Sequence, residues 1–543
     1  MTVVCGRSRV ATQYGIVAAS QPLAARAGVQ ILERGGSAVD AAIAANAVMG
    51  VVEPEMNGIG GDLFAIVYEA KSGALYGLNA GGWTPSACTS ERLRSDGHSE
   101  MPFHGIHSVT VPGCVAGWEA MHRRFGALPL QQVLAPAIFY AERGFPVSDI
   151  IADRWAGWTE KLSTDADAAA TFLVDGRAPR AGDVFVNAAL GRCLRIVAKD
   201  GARGFYDGPI AKTILQSVAT HGGVMTADDL REYAAEWVTP ISRTYRGWEV
   251  FELPPNTQGI AALMMLGIME QFPLREYGLH SARALHVMIE AKKLAYADML
   301  RYVGDQRFGA APVSEMVSDQ YGKARAGLIR EQEAAASVEP SVFAGLTTAR
   351  GGDTIYLSAI DRYGNSVSLI QSIYDGFGSG VAPAGGGFML HNRGALFTLE
   401  AGHPNVLAPR KRPLHTIIPG FMRKDEVTIG FGIMGAWNQA QAHAQFVANI
   451  ADFDLDIQQA LEAGRFTKPT FTGADVFIEA LIPDATRAVL AKLGHEIAVI
   501  PARTGTFGSG QAVMSHRNGV HYGASEPRHD GAAIPEAAPV FGN

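Results

Sequence analysis

Gly351-Gly352-Asp353-Thr354-Ile355-Tyr356-Leu357-Ser358-Ala359-Ile360 leads through Arg362-Tyr363-Gly364-Asn365 into Ser366-Val367-Ser368-Leu369-Ile370-Gln371-Ser372. The first run alternates polar and apolar residues from Thr354 to Ile360, and the third alternates again after a tight turn, which predicts a β-hairpin. The residues before it differ in kind. From about Arg330 to Gly352 the chain is polar, small and unpatterned, as a loop or exposed linker would be. A strand therefore opens abruptly at Thr354, directly after an irregular segment.

Upstream, Ser20 is placed to cap a helix entered at Pro22 and stopped by Gly35-Gly36. Ser37 with Asp40 forms a capping-box pattern before an alanine-rich helix that ends near Gly50. After Asn57-Gly58-Ile59-Gly60-Gly61-Asp62, the stretches Leu63–Tyr68 and Leu75–Leu78 read as two strands. From Val109 to about Gln332 helical signals dominate, with Leu130–Arg143, Ile260–Phe272 and Ala282–Tyr302 the clearest. No solenoid-type repeat is present.

Composition narrows the function. Of 543 residues 48% are hydrophobic and 18% charged, with a net charge of −7 and no basic run, so a compact globular protein is expected and nucleic acid is not a partner. Cys5, Cys88, Cys114 and Cys193 are widely spaced without a CxxC pair, which suits reduced, mostly buried thiols and not a metal site. Arg7 and Arg9 interrupt any signal-peptide core, and the longest near-apolar run, Ala41–Val52, is shorter than a membrane span. A cytoplasmic protein without a membrane partner is the expectation. Glycine is in excess, 62 residues against a usual share of about 7%. It concentrates at Gly58–Gly61, Gly376–Gly387 and Gly430–Gly435.

Gly430-Phe431-Gly432-Ile433-Met434-Gly435 matches GxGxxG between a strand-like Val427–Ile429 and a helix-like Trp437–Asp452. A lone match without a second βαβ unit is weak evidence for a dinucleotide. The same strand-turn-helix geometry can instead aim backbone amides at an oxyanion. HExxH, GxSxG and GxxxxGK[ST] motifs are missing, so His415 and His443 stand alone, each with a structural reading beside a functional one. Thr354 likewise has a plain reading, a β-branched strand former. Its functional reading is an N-terminal nucleophile: cleavage of the 353–354 bond would give it a free α-amine, whose reference pKa of about 7.7–8.0 lets it act as base for its own hydroxyl.

End to end, from Gly15 to about Ala533, the chain resembles the γ-glutamyltransferase family of N-terminal nucleophile hydrolases. The resemblance rests on Gly35-Gly-Ser-Ala-Val-Asp-Ala41, Val52-Glu-Pro54, Gly58-Ile-Gly-Gly-Asp62, Val111-Pro-Gly113 with Ala116-Gly117, Tyr302-Val-Gly-Asp305, Asp353-Thr354, Arg412-Pro413 and Tyr522-Gly-Ala-Ser-Glu-Pro-Arg528. It implies an α+β fold, a four-layer αββα sandwich built from one precursor. Self-cleavage between Asp353 and Thr354 would give a large chain, 1–353, which includes the linker at about 330–353, and a small chain, 354–543. The pair would form a heterodimer, with a dimer of heterodimers left open. Thr354 is the implied catalytic nucleophile, Ser372 its hydroxyl support, and Gly435 with Ala436 the oxyanion-hole amides. No metal or organic cofactor is implied.

Departures from the family pattern bear on the substrate. Gly81, within Asn79-Ala-Gly-Gly-Trp-Thr-Pro85, stands where the family has a carboxylate-binding arginine. Tyr374, Arg393 and Leu396 replace the residues that would hold an α-amine, and His415-Thr416 replace a serine pair. Arg393, Asn392, Tyr374, His415 and Thr416 are thus the candidate substrate-binding set, with Arg393 as carboxylate clamp, since its planar fork suits that anion. Arg412-Pro-Leu-His-Thr416 is similar to the amidases of this family, among them oxamate amidohydrolases and cephalosporin acylases. The expected substrate is a small anionic amide such as oxamate. Glutathione hydrolysis or γ-glutamyl transfer, a cephalosporin-acylase-like amidase and a non-catalytic binding module on the same fold are the alternatives.

Overall fold

The computed structural model describes residues 6–309, 311–340, 353–516 and 518–540. Cys5, residues 341–352 of the linker and the Asp353 side chain lie outside the described residues. Two seven-stranded antiparallel sheets form the centre. One runs, in spatial order, Ala532–Pro535, Ile16–Ala19, Asp353–Ile360, Ser366–Tyr374, Asp62–Glu69, Ala74–Ala80 and Glu236–Val238. The other runs Val10–Thr12, His521–Ser525, Gly510–Ser515, Val427–Ile433, Gly420–Lys424, Trp248–Glu252 and Ile241–Tyr245. Both sheets mix strands from before and after residue 353, so the expected segments 1–353 and 354–543 share one fold and are not separate globules.

Strand alternation explains the layers. Ile355, Leu357 and Ala359 point into the core shared with the helices Pro22–Glu33, Ala38–Val52 and Leu130–Arg143. Tyr356 points the other way, into an inter-sheet core with Phe64, Phe251, Ile370, Ile417 and Phe421. A third core lies beneath Gly259–Met269, Ala282–Tyr302 and Gln439–Ala451 on the far side of the second sheet. The αββα order expected from the resemblance is thereby observed.

Local chemistry matches the sequence at several points. Ser37 and Asp40 form the capping box reciprocally, and Leu130–Arg143 and Ala282–Tyr302 are helices over the expected residues. The expected hairpin that carries Thr354 spans Asp353–Ile360 and Ser366–Tyr374. Asp361 closes its turn by accepting the Tyr363 and Asn365 amides at 3.0 and 3.1 Å, and Gly364 supplies the positive φ of 83°.

Two expectations change, and one motif is resolved. Gln21, not Ser20, caps the first helix, because the Ser20 hydroxyl donates to Glu53 Oε2 at 2.7 Å. The strands Glu236–Val238, Ile241–Tyr245 and Trp248–Glu252 interrupt the region read as helical; the last two are joined by Arg246-Gly247, both at positive φ, a turn with little signature in sequence. The GxGxxG run is not a phosphate loop. Gly430 and Gly432 lie inside the strand Val427–Ile433, where a Cβ on Gly432 would meet the Tyr356 ring at 2.4 Å, so that glycine serves the contact between sheets. The helix proper begins at Gln439, after a 3-10 turn over Ala436–Asn438.

Candidate active site

Thr354 occupies the second position of its strand, on the alternation that faces the second sheet. It is 2% exposed. A β-bulge sets it opposite both Ser372 and Ile373, since the pairing slips by one between Asp353–Tyr374 and Ile355–Gln371. The Thr354 hydroxyl donates to Ser372 Oγ at 3.3 Å, and the Tyr374 amide donates to the same oxygen at 2.8 Å. Ser372 is thus fixed by the backbone and lies within hydrogen-bond reach of Thr354.

Gly435 and Ala436 follow the strand Val427–Ile433. Gly435 has φ 122° and Ala436 φ 48°, both in the left-handed region, and the turn is pinned by Asn438 N donating to the Gly435 carbonyl at 2.8 Å. Neither the Gly435 nor the Ala436 N–H is bonded to another described residue. The Ala436 carbonyl accepts from Gln258 Nε2 at 2.8 Å, and the same amide group also reaches the Thr416 carbonyl. Gln258 therefore joins the amide turn to the Arg412–Thr416 segment, a link that carries no signal in the sequence.

Arg393 begins a 3-10 turn, Arg393–Leu396, and is fully buried. Its Nη1 donates to Thr416 Oγ1 at 2.7 Å, and its guanidinium stacks 4.5 Å from the centre of the Tyr374 ring. Nε and Nη2 have no hydrogen-bond partner among the described residues. Burial pushes the guanidinium down to about 10, with the nearby Asp62 carboxylate acting against the shift. Arg393 remains a cation at neutral pH. Two of its donor groups are buried without a partner among the described residues.

Beside it lies a carboxylate between two histidines. Asp62 Oδ2 meets His415 Nε2 at 2.9 Å and His391 Nδ1 at 3.3 Å, while Oδ1 accepts the Gly82 amide at 2.8 Å. Burial would raise the Asp62 carboxyl, yet the two imidazoles hold it well below the usual carboxylate range. Burial, helped by Arg393, pushes His415 down to about 3. His415 is therefore neutral at physiological pH and its ring is committed to Asp62. Asp62 was quoted among the sequence motifs without a role, and His391 was passed over; their meeting with His415 draws on three distant segments.

The other candidates divide. Thr416 holds Arg393. Asn392 is engaged at both ends of its amide, Nδ2 donating to the Phe103 carbonyl at 2.8 Å and Oδ1 accepting the Asp375 amide at 3.1 Å, which makes it a brace for the loop. His443 is structural, bonded to Glu252 at 2.7 Å and to the Ile433 amide at 3.2 Å. A cavity of about 410 Å³ opens next to the site, with Phe103, Tyr374, Leu396, Leu414, Trp437 and Phe471 in its wall.

Away from the site, His286, Glu290 and His495 bring ligand-type atoms within 4.8 Å of one another. Lys293 Nζ already occupies Glu290 Oε1 at 2.7 Å, and the two imidazoles bond each other at 2.8 Å. A cation there would have to displace an ammonium, so the donor set fits a hydrogen-bonded brace better than a metal site. The brace also ties down the chain at Arg330, whose carbonyl meets His286 Nε2 at 2.8 Å.

The γ-glutamyltranspeptidase family profile matches residues 24–536. A glutathione hydrolase-like proenzyme, YwrD, of Bacillus subtilis (strain 168) is 34% identical over 94% of this chain and 96% of its own. The oxamate amidohydrolase proenzyme of Klebsiella pneumoniae is 33% identical over 97% of this chain and 99% of its own. Among solved structures, cephalosporin acylase from Bacillus halodurans superposes with a TM-score of 0.92 at 40% identity, covering 98% of each chain. Sequence, layer order and relatives agree: the chain belongs to the γ-glutamyltranspeptidase family, as a hydrolase of amide C–N bonds with the N-terminal nucleophile fold.

Proposed function

We propose that the protein is a self-processing threonine amidohydrolase that cleaves short anionic amides of the oxamate type. The observation that carries this reading is Arg393, a buried cation with Nε and Nη2 unpartnered among the described residues. A guanidinium edge presented in this way matches a carboxylate. The carboxylate whose charge acts on it, Asp62, is already engaged by the Gly82 amide and His415 and faces His391, which disfavours its use for a substrate ammonium. Gly81 also lacks the side chain that would anchor a γ-glutamyl carboxylate.

In maturation the Thr354 hydroxyl attacks the Asp353 carbonyl, the peptide nitrogen becomes the Thr354 α-amine, and water hydrolyses the resulting ester. The products are a large chain, 1–353, and a small chain, 354–543. In turnover the freed α-amine takes the hydroxyl proton as Oγ adds to the substrate carbonyl, then passes it to the departing amine. The oxyanion forms against the Gly435 and Ala436 N–H groups, donors worth about 3–4 kcal/mol each in comparable sites. Ser372 holds Oγ in line, and water releases the acid from the acyl-threonine.

Intact-mass measurement after incubation with oxamate, glutaramate and glutathione tests this. The expected result is two fragments divided at 353/354, with an acyl adduct on the small chain from the anionic amides, and a single inactive chain for Thr354→Ala. An uncut wild-type chain with full activity refutes the reading, and preferential release of glutamate from glutathione shows a γ-glutamyl enzyme instead.

A further inference from the structure

The cavity beside the site is larger than oxamate needs. At about 410 Å³ it falls in the range of about 300–1,000 Å³ that houses drug-sized ligands. A leaving ammonia would fill almost none of it. Its wall is mixed: the rings of Phe103, Tyr374, Trp437 and Phe471 stand among polar residues that include Ser99, Thr398 and Asn405. Phe103 meets Tyr374 edge-on at 5.8 Å, and Trp437 meets Phe471 at 5.1 Å and 89°.

Two of these rings tie the cavity to the reaction centre. Tyr374 carries Arg393 at 4.5 Å from its ring and also lines the cavity, so one side chain touches both the anion clamp and this space. Trp437 directly follows Ala436, so the wall begins one residue beyond the amide turn. The charges at the rim exclude a second anion: Glu100 and Glu400 line it, against a single arginine, Arg94, whose guanidinium is bonded to the Leu399 carbonyl. Burial keeps His403, also at the rim, below its ordinary value and so neutral at physiological pH.

Resting on the proposed anionic-amide function, we propose that this cavity is the leaving-group subsite and that the preferred substrates are monoamides of a short dicarboxylic acid with an aromatic amine. The acyl carboxylate sits on Arg393 and the carbonyl oxygen on the amide turn, which directs the amide nitrogen and its ring toward Trp437 and Phe471. The step balances without a co-reactant: the Thr354 Oγ–carbon bond forms, the carbon–nitrogen bond breaks, and the hydroxyl proton leaves on the neutral arylamine. Water then frees the dicarboxylate. Edge-to-face packing of the ring on Trp437 and Phe471 distinguishes an arylamine from an alkylamine of equal volume.

The test holds the acyl group constant. Processed enzyme is given oxamate, N-butyloxamate, N-phenyloxamate and N-naphthyloxamate, with glutaramate as the longer-acyl control, and kcat/KM is read from amine or ammonia release. N-aryl oxamates are expected to exceed oxamate by at least about tenfold, the scale on which filling an apolar pocket discriminates, and to exceed the butyl compound. Phe471→Ala, confirmed as folded and processed by its fragment masses, should lower the aryl-to-oxamate ratio by about tenfold, and Phe471→Leu should lower it less. An aryl-to-oxamate ratio near one, or a gain for glutaramate without any for the aryl amides, overturns the inference and assigns the cavity to the acyl side. Absence of both turnover and acyl-enzyme with every amide overturns the amidohydrolase reading itself, and this inference with it.

Discussion

Replacing Arg393 with methionine separates a binding residue from a structural one, because the two roles give opposite signs. In the free protein the guanidinium is fully buried, with one bond, to Thr416 Oγ1 at 2.7 Å, and with Nε and Nη2 unpartnered among the described residues. A buried donor left unsatisfied costs about 1–3 kcal/mol, and an apolar side chain of similar length removes that cost. Arg393→Met should therefore gain about 1–3 kcal/mol in unfolding free energy. Activity should move the other way. A substrate carboxylate on the two open nitrogens makes two charge-assisted bonds of about 1.5–3 kcal/mol each, so their loss lowers kcat/KM by about a hundredfold to ten-thousandfold. Urea unfolding and amine release from oxamate, measured on one preparation, give both quantities. Misfolding cannot produce a variant that is more stable and less active. A variant that is less stable, with kcat/KM unchanged, refutes the argument and makes Arg393 a structural cation.

Burial holds His415, His495 and His529 each down to about 3. Between their ordinary value and about 3 the unfolded chain binds the extra protons, so stability is full above that window and falls on acidification by about 1.4 kcal/mol per pH unit for each histidine. A urea midpoint that does not change between pH 7 and pH 4.5 would reject this. Glu53 has the opposite sign: burial raises it from 4.5 to about 8 despite the Ser20 hydrogen bond, so its contribution is full below pH 4.5 and is lost as pH rises toward 8. Glu53→Gln should gain on the wild type across that range by up to about 1.4 kcal/mol per unit; an equal difference at pH 5.5 and pH 8 contradicts the buried-proton account. At Gly81 a Cβ would lie 2.9 Å from Phe64 Cζ and 3.2 Å from Asn79 Oδ1. Gly81→Arg should thus cost about 1–3 kcal/mol by overpacking without creating glutathione hydrolysis, as urea unfolding and glutamate release would show.

Much of the fold was legible because its signals are local. The Ser37–Asp40 capping box, the hairpin turn at Asp361–Asn365 and the Ala282–Tyr302 helix each depend on residues within a few positions of one another. The short strands of Glu236–Glu252 were not legible, since their strand character comes from pairing with distant Gly77–Asn79 and Phe421–Arg423. The site divides along the same line. The hairpin that brings Thr354 to Ser372 could be read locally, whereas the Gly435-Ala436 turn, after a strand of the other sheet, was reached only through the family resemblance. The pairing of Asp62 with His391 and His415 could not be read locally, nor could the cavity between Phe103, Tyr374 and Phe471, because those contacts are set by the packing of separate segments, Asp62 lying 353 residues from His415. GxGxxG is ambiguous for a physical reason: glycine inside a strand opposite Tyr356 looks in sequence like glycine in a phosphate loop.

Asp62 explains how Arg393 can be charged and buried with two of its donors unpartnered among the described residues. A lone buried cation tends to lose its proton, and a carboxylate in direct contact would neutralise it but also occupy its donors. Asp62 does neither. Its Oδ1 accepts the Gly82 amide, and its Oδ2 pairs with His415 Nε2 and faces His391 Nδ1 at 3.3 Å, while none of its hydrogen bonds goes to the guanidinium. Its charge nonetheless opposes the downward push of burial on Arg393. The field of the carboxylate thus supports the cation while its hydrogen bonds are spent elsewhere. His415, pushed down to about 3 and therefore neutral, adds bulk without a second positive charge. The same ring stands 3.5 Å from where a Cβ on Gly81 would lie. In the proposed carboxylate site, the setting of Arg393 therefore draws on Asp62 and His415 together, with Gly81 against the His415 ring, so an arginine placed at position 81 alone would not restore an anchor there.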